Sequence, residues 1–211
     1  MTVDDALKTL PLVAILRGLV PEEAVEVAEA LVAAGFRCLE VPLNSPRPLE
    51  SIRLMRDALD GRAVVGAGTV LSIPAAKAVA DAGGQIVISP NTNVQVIAAA
   101  KDLGLFSMPG FFTPSEAFAA LDAGADVLKL FPAEVAGQAG LKAVRAVLPT
   151  GTRVYAVGGV SPETVPAWRA AGADGFGIGS AVFKPGWTPD KVGAAAAEFV
   201  AAWTSTETAP A

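Results

Sequence analysis

The chain has 211 residues, 52% hydrophobic and 18% charged, a balance that supports one sizeable core and excludes a disordered protein. A net charge of −5 with no Lys/Arg cluster argues against a nucleic-acid partner. The longest uncharged stretch, 82–100, is interrupted by Gly83, Gly84, Pro90 and several amides, so no membrane span or membrane partner is expected.

The opening segment Met1–Leu10 carries Asp4 and Asp5 and no basic run, so no signal peptide is read there. Apolar runs of strand length then alternate with Ala-rich, helix-period segments. The first run, Leu12–Arg17, precedes a helix start at Pro21-Glu22-Glu23 that runs to Gly35. The second and third, Cys38–Pro42 and Ala63–Ala67, lie either side of Gly61, and a helix start follows at Ser72-Ile73-Pro74. Ile86–Ser89 follows Gly83, and Leu105–Pro109 follows Gly104 and leads to a helix start at Thr113-Pro114-Ser115-Glu116. Val127–Phe131 follows Gly124, Val154–Val157 follows Gly151 and leads to Ser161-Pro162-Glu163, and Phe176–Ile178 follows Gly172. The tail Thr204–Ala211 is small and polar, reads as frayed, and is set outside a domain of residues 1–203.

These seven glycines recur every 20 to 27 residues, where a left-handed residue ends a helix and turns the chain into a strand. The runs after them are short and unalternating, as buried parallel strands require. Eight such strands, each followed by a helix, predict a single-domain α/β fold, a compact (β/α)₈ TIM barrel. An open doubly wound sheet is the alternative. Closure is preferred because it brings the ends of the first and last strands together.

Barrels build their sites at the C-terminal ends of strands. Lys129, in Val127–Phe131, is an ammonium in an apolar strand, and loss of hydration there lowers its pKa towards a nucleophilic amine. The chain has no histidine, so acid/base work falls to other groups, and Glu40 in Cys38–Pro42 supplies a second buried charge. Alternation places Val127, Lys129 and Phe131 on one face, and Cys38, Glu40 and Pro42 on another. If both faces point inward, Lys129 and Glu40 meet in the lumen near Arg17. A buried ion network that merely fills the barrel is the alternative. Arg17 offers a fork for a carboxylate, or is a partner for Glu40 alone, and Thr69 adds a hydroxyl or merely serves a turn. Gly158-Gly159 and Gly179-Ser180 follow the last two strands, where barrels commonly bind phosphate through backbone N–H groups and a short helix N-terminus; tight turns needing positive φ are the alternative. Cys38 reads as core filler, and as a single cysteine it implies a reducing, cytoplasmic compartment. Asp81, Asp122 and Asp126 read as solvated or capping.

Pro11–Gly18, Leu39-Glu40-Val41-Pro42-Leu43-Asn44-Ser45-Pro46, Val65–Val70 and Leu128-Lys129-Leu130-Phe131-Pro132 together resemble the 2-keto-3-deoxy-6-phosphogluconate/galactonate aldolases, in order, from Leu10 to about Pro185. The resemblance implies a class I aldolase, a homotrimer, with no cofactor and no metal. It implies a Schiff base on Lys129, proton transfer by Glu40, and a pyruvate carboxylate held by Arg17 and Thr69. Gly158, Gly159, Gly179 and Ser180 would hold the distal end of the sugar phosphate, with Phe131 and Val157 also contacting substrate. Leu43–Pro46 and Ala156-Val157-Gly158-Gly159-Val160 resemble the galactonate branch, whereas the gluconate branch usually has Thr-Leu-Arg-Thr and a Thr before Gly-Gly. Phe131-Pro132-Ala133-Glu134 looks more like the gluconate branch. The implied reaction is cleavage of 2-dehydro-3-deoxy-6-phosphogalactonate to pyruvate and glyceraldehyde 3-phosphate. A metal-dependent aldolase or other phosphosugar enzyme, and a non-catalytic sugar-phosphate binder, are the rival readings.

Overall fold

The structure, a computed structural model, describes residues 1–207. Its nine parallel strands are β1 (Leu12–Ile15), β2 (Cys38–Pro42), β3 (Val64–Gly68), β4 (Ile86–Ile88), β5 (Phe106–Met108), β6 (Gly110–Phe111), β7 (Leu128–Leu130), β8 (Val154–Val157) and β9 (Gly175–Ile178). The helices are α1 (Val3–Thr9), α2 (Pro21–Ala34), α3 (Pro48–Leu59), α4 (Ile73–Asp81), α5 (Val94–Asp102), α6 (Pro114–Asp122), α7 (Ala133–Arg145), α8 (Val165–Ala170) and α9 (Pro189–Glu207).

The first and last strands pair, with Leu12 opposite Phe176 and Ala14 opposite Ile178. That pairing removes the open doubly wound alternative. The hydrogen-bonded order is β5-β4-β3-β2-β1-β9-β8-β7-β6, and its two ends are neighbours in sequence. Only Pro109 separates β5 from β6, and a proline has no N–H to give a ladder. The strand expected at Leu105–Pro109 is therefore one strand bent in two, its first half pairing with β4 and its second with β7. Pro109 itself accepts from the Lys129 N–H at 2.9 Å, so the ring closes as a (β/α)₈ barrel.

The glycine repeat has a specific hydrogen-bond form. The N–H groups of Phe36, Gly84, Leu105, Ala125 and Ala173, each one residue past a repeat glycine, donate to Leu31, Val79, Ala100, Ala120 and Trp168, each at 2.9–3.0 Å. These six-to-one bonds with a left-handed glycine before them define the Schellman ending. All seven repeat glycines have positive φ. At helix starts, Ser72 accepts from the Ala75 N–H and Thr113 from the Glu116 N–H, as their positions predict.

Inward-facing side chains stack in layers. Val13, Cys38, Val64, Ile86, Phe106, Val127 and Tyr155 form the lower one with Val3, Ala6 and Leu7 of α1. Helix α1 thus plugs the N-terminal mouth of the barrel. It was not foreseen, although Thr2 and Asp5 form the capping box that starts it, the Thr2 hydroxyl accepting from the Asp5 N–H at 3.1 Å. The outward faces pack against the helices in a separate, larger core that includes Leu12, Leu39, Val65, Val87, Leu128, Val154 and Phe176. Helix α9 continues through 204–207, so that part of the expected tail is helical, and 208–211 lie outside the described residues. No described helix is long and apolar enough to cross a membrane.

Candidate active site

Above the lower layer the lumen changes character. Glu40 on β2 is 2% exposed and Lys129 on β7 is 6% exposed. Among the described residues no ion pair joins them, and Glu40 Oε2 is buried without a hydrogen-bond partner. A network that merely filled the barrel would close that contact, because an unpaired buried charge is costly. The two groups are instead coupled across a gap. Burial pushes the Glu40 carboxyl up to about 7, against the pull of Lys129, Arg17 and the Gly68 backbone. Burial also lowers Lys129 from its ordinary value; Glu40 opposes that shift and Arg17 adds to it. The result is an amine whose pKa burial lowers, beside a carboxyl that gains and loses a proton near neutrality.

Local packing explains how Glu40 fits. A methyl group at Gly68, the last residue of β3, would stand 2.1 Å from Glu40 Oε2. Glycine is required there to make room for the carboxylate. Lys129 Nζ lies 4.9 Å from the centre of the Phe131 ring, two residues along the same face. Cys38, one layer below Glu40, is wholly buried, and desolvation raises its thiol, so it fills the core.

Phe131 and Arg17 line a cavity of about 460 Å³ at the C-terminal mouth together with Val157, Gly158, Gly159, Gly179 and Ser180, whereas Lys129 and Glu40 lie outside its lining, Lys129 beside Phe131. Arg17 is exposed, just past the end of β1, and so is not a third buried charge. Among the described residues its side chain forms no ion pair, so its pull on Glu40 acts without direct contact. Thr69 lies outside that cavity, next to Gly68 on the Glu40 side, with φ of 56°. A β-branched residue is strained in the left-handed region, which argues against a mere turn role.

Gly158 and Gly159 do adopt positive φ, at 109° and 68°, so the tight-turn reading of these two holds. They also line the cavity, and among the described residues their N–H groups donate to no protein acceptor. The short helix anticipated after the last strand is absent; Gly179 instead begins a turn whose carbonyl accepts from Val182 and Phe183 at 2.9 and 3.0 Å. Two charged lining residues stand outside the candidates read from sequence, Glu134 and Lys184. Glu134 packs so closely on the turn that a methyl at Gly158 would stand 1.9 Å from its carboxylate. Its place in the first turn after a strand end was the available signal. Asp81 and Asp126 pair with Lys77 and Lys101, away from this mouth.

Comparison with known proteins gives this geometry a family. The KDPG and KHG aldolase model matches residues 3–193. A probable 2-dehydro-3-deoxy-6-phosphogalactonate aldolase of Rhizobium meliloti (strain 1021) is 46% identical over 193 residues, 92% of this chain and 91% of that one. The KHG/KDPG aldolase of Escherichia coli (strain K12) is 37% identical over 161 residues, 75% of this chain and 74% of that one. A solved structure described as native KDPGal superimposes with a TM-score of 0.93 at 42% identity, covering 95% of this chain and 97% of the other. With a closed barrel, a buried Lys–Glu couple at its mouth and a match along nine tenths of its length, the chain belongs to the KDPG and KHG aldolase family.

Proposed function

We propose that the chain is a class I aldolase that reversibly cleaves 2-dehydro-3-deoxy-6-phosphogalactonate into pyruvate and D-glyceraldehyde 3-phosphate. The observation that carries this is the buried couple of Lys129 and Glu40, with no ion pair between them and each shifted by burial towards its neutral form, beneath a Gly-rich cavity that Phe131 lines.

The free amine of Lys129 attacks the C2 ketone. The carbinolamine loses its hydroxyl as water with a proton from Glu40, leaving an iminium. The Glu40 carboxylate then takes the C4 hydroxyl proton as the C3–C4 bond breaks. The bonding pair moves into the iminium and gives an enamine, and C4 leaves as the aldehyde. Protonation at C3 and hydrolysis return pyruvate and the amine. Arg17 and Thr69 hold the pyruvate carboxylate. Phe131 and Val157 wall the path, and Gly158, Gly159, Gly179 and Ser180 take the distal phosphate. The sequence requires no metal or cofactor for this route.

The galactonate epimer is favoured because Val157 walls the cavity without a donor and because the relative named for that epimer matches more of the chain, at higher identity, than the KHG/KDPG aldolase. Glu134, in the segment that resembles the gluconate branch, supports the gluconate epimer as the second reading. Large apolar side chains exposed on successive units, Leu71, Ile73, Val94, Phe112 and Phe118, support a homotrimer. The test is a side-by-side progress assay. Faster cleavage of the galactonate epimer is the expected result, and a preference for the gluconate epimer overturns the substrate assignment.

A further inference from the structure

Arg17 poses a positioning problem. It is exposed and has no side-chain partner among the described residues, yet the carboxylate role proposed above demands a fixed guanidinium. Its backbone supplies what its side chain lacks. On one flank the Leu16 N–H donates to Glu40 O at 2.9 Å. On the other the Gly18 N–H donates to Ser45 Oγ at 2.9 Å, across 27 residues of sequence. Ser45 is 7% exposed, and its own N–H donates to Pro42 O at 2.9 Å, which locks the serine in a turn at the end of β2. Gly18 is confined from a third side as well. With φ of 86°, a methyl there would stand 2.7 Å from Pro185 Cγ, in the loop after β9.

We infer that Ser45 is a positioning residue for the proposed carboxylate site: its hydroxyl, with Pro185 behind Gly18, fixes the loop that presents Arg17, and does so from the turn that ends the strand carrying Glu40. Both flanks of Arg17 are thereby referenced to β2, so the carboxylate fork and the proton-transfer group keep one spacing. Ser45 touches no reacting atom. Its removal loosens one substrate contact and leaves the Lys129–Glu40 couple in place.

The experiment rests on the Schiff-base reading and separates the two. Borohydride trapping is measured as a function of ketone concentration, with pyruvate and with acetone, which lacks the carboxylate. For Ser45→Ala the pyruvate concentration giving half-maximal trapping is expected to rise about five- to tenfold, the usual worth of one buried hydrogen bond. The acetone curve is expected to stay where it is. Gly18→Ala, which pushes the same loop from its other side, is expected to give the same split. In an Arg17→Ala background, Ser45→Ala is expected to add nothing. If pyruvate and acetone shift together, or if neither shifts, the positioning role is overturned. A wild-type chain that traps no pyruvate overturns the Schiff-base reading, and this inference with it.

Discussion

Glu40 and Lys129 are moved by one cause, burial, towards their neutral forms, and each has a measurable consequence. The Glu40 carboxyl sits at about 7 in the folded chain, above its ordinary 4.5. Between those values the native state binds more protons than the unfolded state. The stability this group contributes is therefore full below about pH 4.5 and is lost as pH rises through 7. Lys129 is lowered, so its contribution runs the other way, rising with pH in a window that ends near its ordinary 10.5. Replacing Glu40 with Gln removes the first slope. Urea denaturation from pH 4 to 8 is expected to show the variant gaining on wild type by up to about 3 kcal/mol. Turnover of the same variant is expected to fall by about two to four orders of magnitude while pyruvate binding persists. Wild-type turnover would reduce Glu40 to a structural charge. Val157, 5% exposed on the cavity wall, offers no hydrogen-bond donor to the passing C4 hydroxyl. Val157→Thr is expected to raise kcat/KM for the gluconate epimer relative to the galactonate one by about tenfold, the scale of one added polar contact. An unmoved ratio would leave Val157 as packing alone.

At the scale of elements, the strands divide labour by layer. Helix α1 belongs to the lower, apolar layer, where Leu7 is 3% exposed against the barrel floor. Leu7→Ala is expected to cost about 2–5 kcal/mol in chemical denaturation, with KM unchanged, because the floor and the catalytic mouth lie at opposite ends. A changed KM would show that the plug is coupled to the site. The elements that could be read from sequence were those with a periodic signal. Glycine spacing gave the βα units because each unit repeats one helix-ending motif, and alternation put Glu40 and Lys129 in one lumen because the strand period is two. Three elements escaped for physical reasons. The break at Pro109 depends on which neighbours each half of the strand pairs with, and local sequence does not record that. The exposure of Arg17 follows from β1 ending at Ile15, two residues early. Helix α1, seven residues long, is too short for a strong periodic signal, and its start rests on the capping box that Asp5 completes with Thr2.

The molecule as a whole is a closed ring whose two ends differ. The N-terminal mouth is stoppered by α1 and confers stability. The C-terminal mouth gathers loops from strands far apart in sequence, setting Arg17 of the first unit around one cavity with Gly179 and Ser180 of the last. Closure through the β1–β9 pairing is what makes that meeting possible, and it sets Phe131, which packs beside Lys129, on the same cavity as the Gly-rich turns. The central claim is that the ring encloses a lysine that becomes covalent with substrate. Incubation with pyruvate and borohydride, followed by peptide mass spectrometry, tests it most directly. The account predicts one carboxyethyl group on Lys129, and none anywhere in Lys129→Ala, which should fold normally. A chain that cleaves substrate but carries no adduct, or carries it on a different lysine, would contradict the account.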